Sequence, residues 1–212
     1  MQITVAGGGI TAQAADTLVV EVPEGGRLAS EAAAVDAALG GVIAQQLADG
    51  LVTGRSGEVT VYPAGRRLKA KRVVVLGAGK REAITADSAR TRLGNLSRRL
   101  RDLDAGAVAL SLQETAGALD PADAGRAAAE AFVLGLYRFD HHHTRAQDRP
   151  RHTLGDVTLV ETSARRVSAM QGGASEGVIL GEQTNFARDL ANEPSNLMTP
   201  TIEPARAQQK AP

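Results

Sequence analysis

The chain has 212 residues, of which 43% are hydrophobic and 2% aromatic, so we expect one substantial core filled by Val, Leu, Ile and Ala. Its 24 basic residues balance its 24 acidic residues, which excludes a net charge that would draw the protein onto nucleic acid or an anionic membrane. Cys is absent, which excludes disulfides, thiolate nucleophiles and Cys-based zinc sites, and no apolar stretch approaches the roughly 20 residues that cross a bilayer, so we expect a cytoplasmic protein.

Short Val-rich segments at the start of the chain predict β-strands. "ITV" at 3–5 and "TLVVEV" at 17–22 flank the glycine-rich "AGGGI", and β-branched residues over a short span favour strand over helix. In the segment 30–49 the apolar residues instead recur at helical spacing, which predicts one helix. Gly40 and Gly41 would lie inside that helix at a cost of about 1 kcal/mol each relative to Ala, so we expect them to pack closely against a neighbour.

Strand and helix signals alternate through the rest of the chain. Further strands are predicted at 58–63, 71–79, 106–112 and 156–161. Further helices are predicted at 85–103, 121–139 and 175–191. Because 71–79 is an unbroken apolar run, we expect that strand to be central in the sheet. The alternation predicts an α/β fold, a mixed sheet flanked by helices.

The glycine-rich end of the strand 71–79 raises the possibility of a phosphate site. Gly77 and Gly79 supply G-x-G, and backbone N–H groups after a buried strand can bind phosphate. Glu82 stands where the third Gly belongs, and Arg81 follows Lys80 where a P-loop has Ser or Thr. The incomplete motif favours a tight strand-to-helix connection over a phosphate site.

The run "FDHHHT" raises the possibility of a metal site. His141 and His143 would point to the same side of an extended segment, and further ligands would have to come from His152, Asp140 or Asp148. The surrounding segment is polar and no H-E-x-x-H spacing occurs. A solvated histidine run is therefore favoured over a zinc site.

The helix 85–103 carries several arginines that raise the possibility of contact with a nucleic-acid backbone. They are Arg90, Arg92, Arg98, Arg99 and Arg101. At about 100° per residue they scatter over the polar arc opposite a leucine stripe, as on a solvated face. The sequence contains no Cys and no G-x-S-x-G motif that could supply a catalytic nucleophile. Ser195 lies in a proline-rich tail, where a rigid active-site arrangement is not expected. We assign no catalytic, cofactor-binding or metal-binding residue.

The segment "NFARDLANEPSNLMTP" at 185–200 resembles the segment that joins the two domains of the leucyl (cytosol) aminopeptidases, where N-L-A-R-D-L-x-N-x-P-x-N-x-x-T-P is typical. "GLYRFD" at 135–140, "GAGKRE" at 77–82 and the helix 30–49 extend the resemblance over almost the whole chain. It maps to the N-terminal domain of that family. After "YRFD" the family usually has an aromatic or basic residue and then Lys, so the triple His here favours a variable surface loop.

The resemblance implies a parent hydrolase that releases N-terminal amino acids from peptides with two divalent metals, zinc or manganese, that share a nucleophilic water. The metal ligands and the N-T-D-A-E-G-R signature of that family lie in its C-terminal domain and are absent from these 212 residues. The family's N-terminal domain is a macro-domain-like α/β module that supports hexamer assembly and active-site access, and in some bacterial members DNA binding. We therefore expect a non-catalytic domain whose partner is the C-terminal catalytic domain of the same parent chain.

The end of the chain is consistent with this interpretation. Thr199-Pro200 and Pro204 are typical helix starts, but about eight residues follow Pro204, fewer than the roughly 12–15 that an isolated helix needs. We expect residues 1–191 to form the macro-like domain and residues 192–212 to form an interdomain linker with the truncated start of a following helix. Two alternatives stay open, a nucleotide or ADP-ribose-binding module and a DNA-contacting accessory domain.

Overall fold

One mixed sheet of six strands lies at the centre of the computed structural model, which describes residues 1–140, 142 and 154–197. The strands are β1 (Ile3–Gly7), β2 (Thr17–Pro23), β3 (Val59–Pro63), β4 (Arg72–Gly79), β5 (Val108–Ser111) and β6 (Val157–Glu161). Their order in the sheet is β1-β6-β5-β2-β4-β3. All neighbours are parallel except β3, which runs antiparallel to β4. The apolar strand β4 is paired on both sides, as expected, although it lies next to the edge strand β3.

Helices cover both faces of this sheet. They are α1 (Ser30–Ala38), α2 (Val42–Ala48), α3 (Ala86–Asp102), α4 (Gln113–Ala118), α5 (Pro121–Gly135) and α6 (Ala164–Asn192). Alternate strand residues point to opposite faces, so Val19 packs in the core with α3, α5 and α6, while Leu18 and Val20 pack in the core with α1 and α2. The predicted mixed sheet flanked by helices is confirmed. Among the described helices, none combines the length and apolar character that crossing a bilayer requires.

The predicted helix 30–49 is broken into α1 and α2 at a glycine pair. Gly40 and Gly41 have φ angles of 81° and 87°, in the left-handed region that favours glycine. A Cβ added to either would meet nothing within 4 Å, so the expectation of close packing was wrong. The new helix start is capped by Asp36, whose Oδ1 accepts from the Ile43 backbone N–H at 2.7 Å. The glycines therefore turn the chain so that α2 can follow α1 on the same face.

The last helix begins earlier than predicted and packs through glycines. α6 starts at Ala164 instead of 175; the prediction missed its first turns because small residues stand there in place of an apolar stripe. A Cβ on Gly173 would lie 1.8 Å from the Ala122 carbonyl oxygen, and one on Gly177 would lie 2.4 Å from the Arg126 carbonyl oxygen. These glycines let the backbones of α5 and α6 lie in direct contact.

Two further differences concern short or terminal segments. α4 was not predicted, since its six residues, QETAGA, are too few to show helical periodicity. α5 ends at Gly135 and not at Phe139.

The predicted N-cap of α3 is confirmed. The Thr85 hydroxyl accepts from the Ser88 N–H at 3.2 Å, and the Ser88 hydroxyl accepts from the Thr85 N–H at 2.9 Å, so two end groups of α3 are satisfied together.

Candidate functional site

The glycine-rich turn at the end of β4 is occupied by the chain's own backbone. The Gly77 N–H donates to the Glu58 carbonyl at 2.8 Å, and the Gly79 N–H donates to the Gly54 carbonyl at 2.9 Å. A Cβ on Gly77 would lie 1.9 Å from the Arg55 carbonyl oxygen. The glycines therefore allow the loop before β3 to lie against β4, and these two N–H groups are not available to a phosphate. This arrangement agrees with a tight connection and not with a phosphate site.

His142 is the residue of the histidine run that lies within the described residues. His142 Nε2 lies 2.8 Å from Glu193 Oε2, and the His142 and Phe139 rings meet edge to face at 5.6 Å between centroids. Asp140 is also among the described residues, whereas the other candidate ligands, His141, His143, His152 and Asp148, lie outside them. Within residues 1–140, 142 and 154–197, no group of three His, Cys, Asp or Glu side chains is placed to hold a metal ion.

One of the arginines on α3 is buried, contrary to the expectation that all of them lie on a solvated face. Arg92 is 2% exposed. Its Nη2 lies 3.0 Å from Oε1 of Glu21, whose side chain is fully buried, and it also donates to the Thr115 hydroxyl. The long methylene stem lets Arg92 reach from the border of the leucine stripe to the end of β2. Arg92 therefore serves the interior and is not available to a nucleic acid.

Arg90 and Arg101 on the outer face of α3 pair with nearby carboxylates. Arg90 lies 2.6 Å from Glu130 of α5 and 2.7 Å from Asp87, and the hydrogen bond to Glu130 raises the pKa of Arg90. Arg101 pairs with Asp102 at 3.0 Å. Such pairs lower the positive potential that α3 presents to solvent. The outer face of α3 is thus a mixed-charge surface.

Glu21, Arg92 and Thr115 form a buried cluster that fixes α4 against the sheet. The Thr115 N–H donates to Glu21 Oε2 at 2.8 Å, and the neighbouring Glu114 has its pKa raised by burial and by the charge of Glu21. Sequence reasoning missed this cluster. Two features of the sequence could have indicated it. Glu21 lies inside an otherwise apolar strand, and Arg92 lies three residues after Ala89, on the helix face that is buried.

A small cleft lies beyond the carboxyl ends of β5 and β6, where ligands of open α/β sheets usually bind. Its volume is about 140 Å³. Glu31 and Glu161 line it, and both are more than nine-tenths buried. The Glu31 carboxylate accepts a hydrogen bond from the backbone N–H of Ile10, at the end of the glycine-rich loop that follows β1. Arg166 lies 3.3 Å from Glu161, and Gln113 accepts from the Glu31 N–H at 3.0 Å.

The end of α6 is fastened to the segment after α5 by a polar clasp, defined here as Tyr137, Asp189 and Asn192. The Tyr137 hydroxyl donates to Asp189 Oδ1 at 2.9 Å and accepts from Asn192 Nδ2 at 3.1 Å. One turn earlier, Asn185 Nδ2 donates to the Val133 carbonyl at 3.1 Å. The Arg188 guanidinium lies 5.5 Å from the centroid of the Tyr137 ring, within the range of a cation–π contact. The clasp therefore joins two segments about fifty residues apart in sequence.

Comparison with known sequences gives a family match. Residues 19–146 match the family described as "Cytosol aminopeptidase family, N-terminal domain". A probable cytosol aminopeptidase of Alkaliphilus metalliredigens is 32% identical over 174 residues, which are 82% of this chain and 35% of the relative. The chain thus spans about a third of the length of this curated relative.

Comparison with solved structures establishes the fold. A mutant of tomato leucine aminopeptidase superimposes with a TM-score of 0.72 at 18% identity, over 99% of this chain and 42% of that chain. A mutant macrodomain of Oceanobacillus iheyensis superimposes with a TM-score of 0.57 at 18% identity, over 85% of this chain and 92% of that chain. The expected macro-domain-like architecture is confirmed.

Proposed function

The chain belongs to the cytosol aminopeptidase family, and on that premise we propose that it is the non-catalytic N-terminal domain of a metallo-exopeptidase that releases N-terminal amino acids from peptides. Its role is to organise the enzyme, by supporting assembly and by shaping access to the active site. The family match over residues 19–146 carries this proposal. We assign residues 1–191 to the domain and 192–212 to the connection with the catalytic domain of the same parent chain.

The polar clasp supports an organising role. It joins 135–140 and 185–193, parts of the two segments that carry the sequence resemblance. Its hydrogen bonds hold Tyr137 against the last turn of α6. A clasp at the end of α6 fixes the direction in which the chain leaves the domain. The polar residues of "NFARDLANEP" thus have a structural task within this chain.

The two divalent metals that such an enzyme uses, zinc or manganese, fit poorly with the donor set of the described residues. The described residues bring no three His, Cys, Asp or Glu side chains together, and a zinc site needs at least three protein ligands. In line with the family resemblance, we assign both metals to the catalytic domain of the parent chain. A hexameric, cytoplasmic parent enzyme is part of the same proposal.

Nucleotide binding is the weaker alternative, for reasons of size and charge. The cleft beyond β5 and β6 has a volume of about 140 Å³, whereas ligand pockets usually measure roughly 300–1,000 Å³. Two carboxylates, Glu31 and Glu161, line it against one guanidinium, Arg166, so the net negative lining repels a pyrophosphate. Calorimetry with ADP-ribose at millimolar concentration should give no binding heat. Saturable heat would favour the nucleotide-binding role instead.

A direct test compares the 212-residue chain with the protein that the complete reading frame encodes. Each is purified, incubated with manganese or zinc, and assayed for hydrolysis of leucine p-nitroanilide. We expect turnover by the longer protein and none by the 212-residue chain. Robust turnover by the 212-residue chain would refute a non-catalytic role, and an inactive longer protein would refute the assignment to an exopeptidase.

A further inference from the structure

A groove runs between the end of α5, the second half of α6 and the start of the edge strand β1. Its volume is about 710 Å³. The apolar lining residues include Met1, Ile3, Val133, Leu136, Val178 and Ile179. Its charged lining residues are one arginine, Arg138, and one glutamate, Glu182. The groove therefore combines an apolar lining with polar residues in equal number, and the remaining polar ones are Gln2, Tyr137, Ser175 and Asn185.

Large apolar side chains remain exposed in this groove. Ile179 is 59% exposed and Met1 is 53% exposed. Isolated exposed apolar residues are common on protein surfaces, but apolar residues gathered in one concave patch with a polar rim mark an interaction site. On α6, Ile179 lies two residues from Gly177 and therefore on the face opposite to the glycines that contact α5. That helix thus has one face packed against α5, while Ile179 on the other side is mostly exposed.

The chain leaves the domain beside this groove. Asn185 lines the groove and is held by the Val133 carbonyl at 3.1 Å. α6 ends at Asn192, about 10 Å farther along its axis at 1.5 Å per residue. The polar clasp fixes these last turns, and the described chain continues to Leu197, which is 42% exposed. A domain that follows α6 would start next to the groove.

The lengths of the relatives identify the occupant. The chain spans 35% of the Alkaliphilus metalliredigens protein and 42% of the tomato protein, so more than half of each protein has no counterpart here. The family match itself ends at residue 146, before α6. α6 is thus the last helix among the described residues and, in sequence, the element nearest to the remainder of the longer proteins.

We infer that the groove formed by α5, α6 and the start of β1 is the docking surface for the domain that follows in the full-length protein. This inference rests on the proposed function. The occupant inserts an apolar side chain against Ile179, Val178 and Leu136, and places polar groups of opposite charge near Arg138 and Glu182. The clasp holds the chain exit in the orientation that brings the occupant onto the groove.

Cysteine labelling tests this assignment with a matched pair of variants, I179C and L180C. The 212 residues contain no Cys, and Ile179 and Leu180 are exposed to similar extents, 59% and 49%. Only Ile179 lines the groove. Each variant is made in the 212-residue chain and in the protein encoded by the complete reading frame. The rate of N-ethylmaleimide labelling at that position is followed by mass spectrometry of the peptide.

In the 212-residue chain, both thiols should label at similar rates. In the longer protein, labelling at I179C should slow by about tenfold or more, because the docked domain must open first, while labelling at L180C should change by less than about twofold. Equal rates for the two variants in the longer protein would overturn the docking assignment. A reading frame that ends at Pro212 would overturn it as well, since no occupant would exist.

The same samples separate this inference from the proposed function. An active longer protein in which I179C labels freely overturns the docking surface and leaves the proposed function intact. A longer protein without exopeptidase activity in which I179C is protected overturns the proposed function and supports the docking surface.

Discussion

The neighbouring glycines Gly172 and Gly173 on α6 form a matched pair for a stability experiment. A Cβ on Gly173 would lie 1.8 Å from the Ala122 carbonyl oxygen and 2.6 Å from the Ala122 carbonyl carbon, whereas one on Gly172 would meet nothing within 4 Å. Both positions are inside α6, so Ala gains about 1 kcal/mol of helix propensity at each. At Gly173, α5 must move away by roughly 1 Å or more, and such overpacking costs roughly 1–3 kcal/mol or more.

We therefore expect G172A to stabilise the protein by about 0.5–1 kcal/mol and G173A to destabilise it by up to roughly 2 kcal/mol after the propensity gain is deducted. For a chain of this size, 1 kcal/mol corresponds to a shift of about 2–4 °C in Tm. Urea unfolding followed by circular dichroism at 222 nm measures both variants. If G173A were as stable as G172A, the direct backbone contact between α5 and α6 would be wrong.

Three other predictions concern charged residues. Replacing Arg92 by Met leaves its buried carboxylate partner unpaired, which should lower the free energy of unfolding in urea by about 3–5 kcal/mol. A decrease under about 1 kcal/mol is typical of a solvent-exposed pair and would contradict the buried position. Burial raises the pKa of Glu114, so its ionisation opposes folding, and stability is lost as pH rises from the ordinary carboxyl pKa of about 4.3 to the raised value. The E114Q variant should therefore gain stability at pH 7 and not at pH 3.5, and a gain at both would contradict this. The triple replacement of Arg98, Arg99 and Arg101 should leave the retention of the protein on duplex DNA at low salt unchanged. Lost retention would support a DNA-contacting role.

The strands and the family were accessible from the sequence because they depend on local signals. Each of the six strands overlaps a predicted segment, since Val-rich runs such as "KRVVVLGAG" have no competing helical period. The motif "NFARDLANEPSNLMTP" was specific enough to indicate the family, which the match over 19–146 confirms. The break at Gly40-Gly41 was missed because glycine serves both for close packing and for positive φ, and only the fold distinguishes the two.

The candidate site was less accessible because it depends on contacts between distant residues. Tyr137 and Asp189 are fifty-two positions apart, and Glu21 and Arg92 are seventy-one apart. Neither pair has a fixed spacing that a motif could reveal. The same limit applies to α6, whose glycines reduce helix propensity locally and are favourable only when α5 lies against them. Its groove depends on three elements that are separate in sequence.

The distribution of metal ions between the two lengths of protein tests the central claim most directly. The 212-residue chain and the protein encoded by the complete reading frame are dialysed against manganese or zinc, freed of unbound metal, and measured by inductively coupled plasma mass spectrometry. The account predicts two metal ions per longer chain, as a two-metal exopeptidase requires, and none per 212-residue chain. Two ions retained by the 212-residue chain would contradict it.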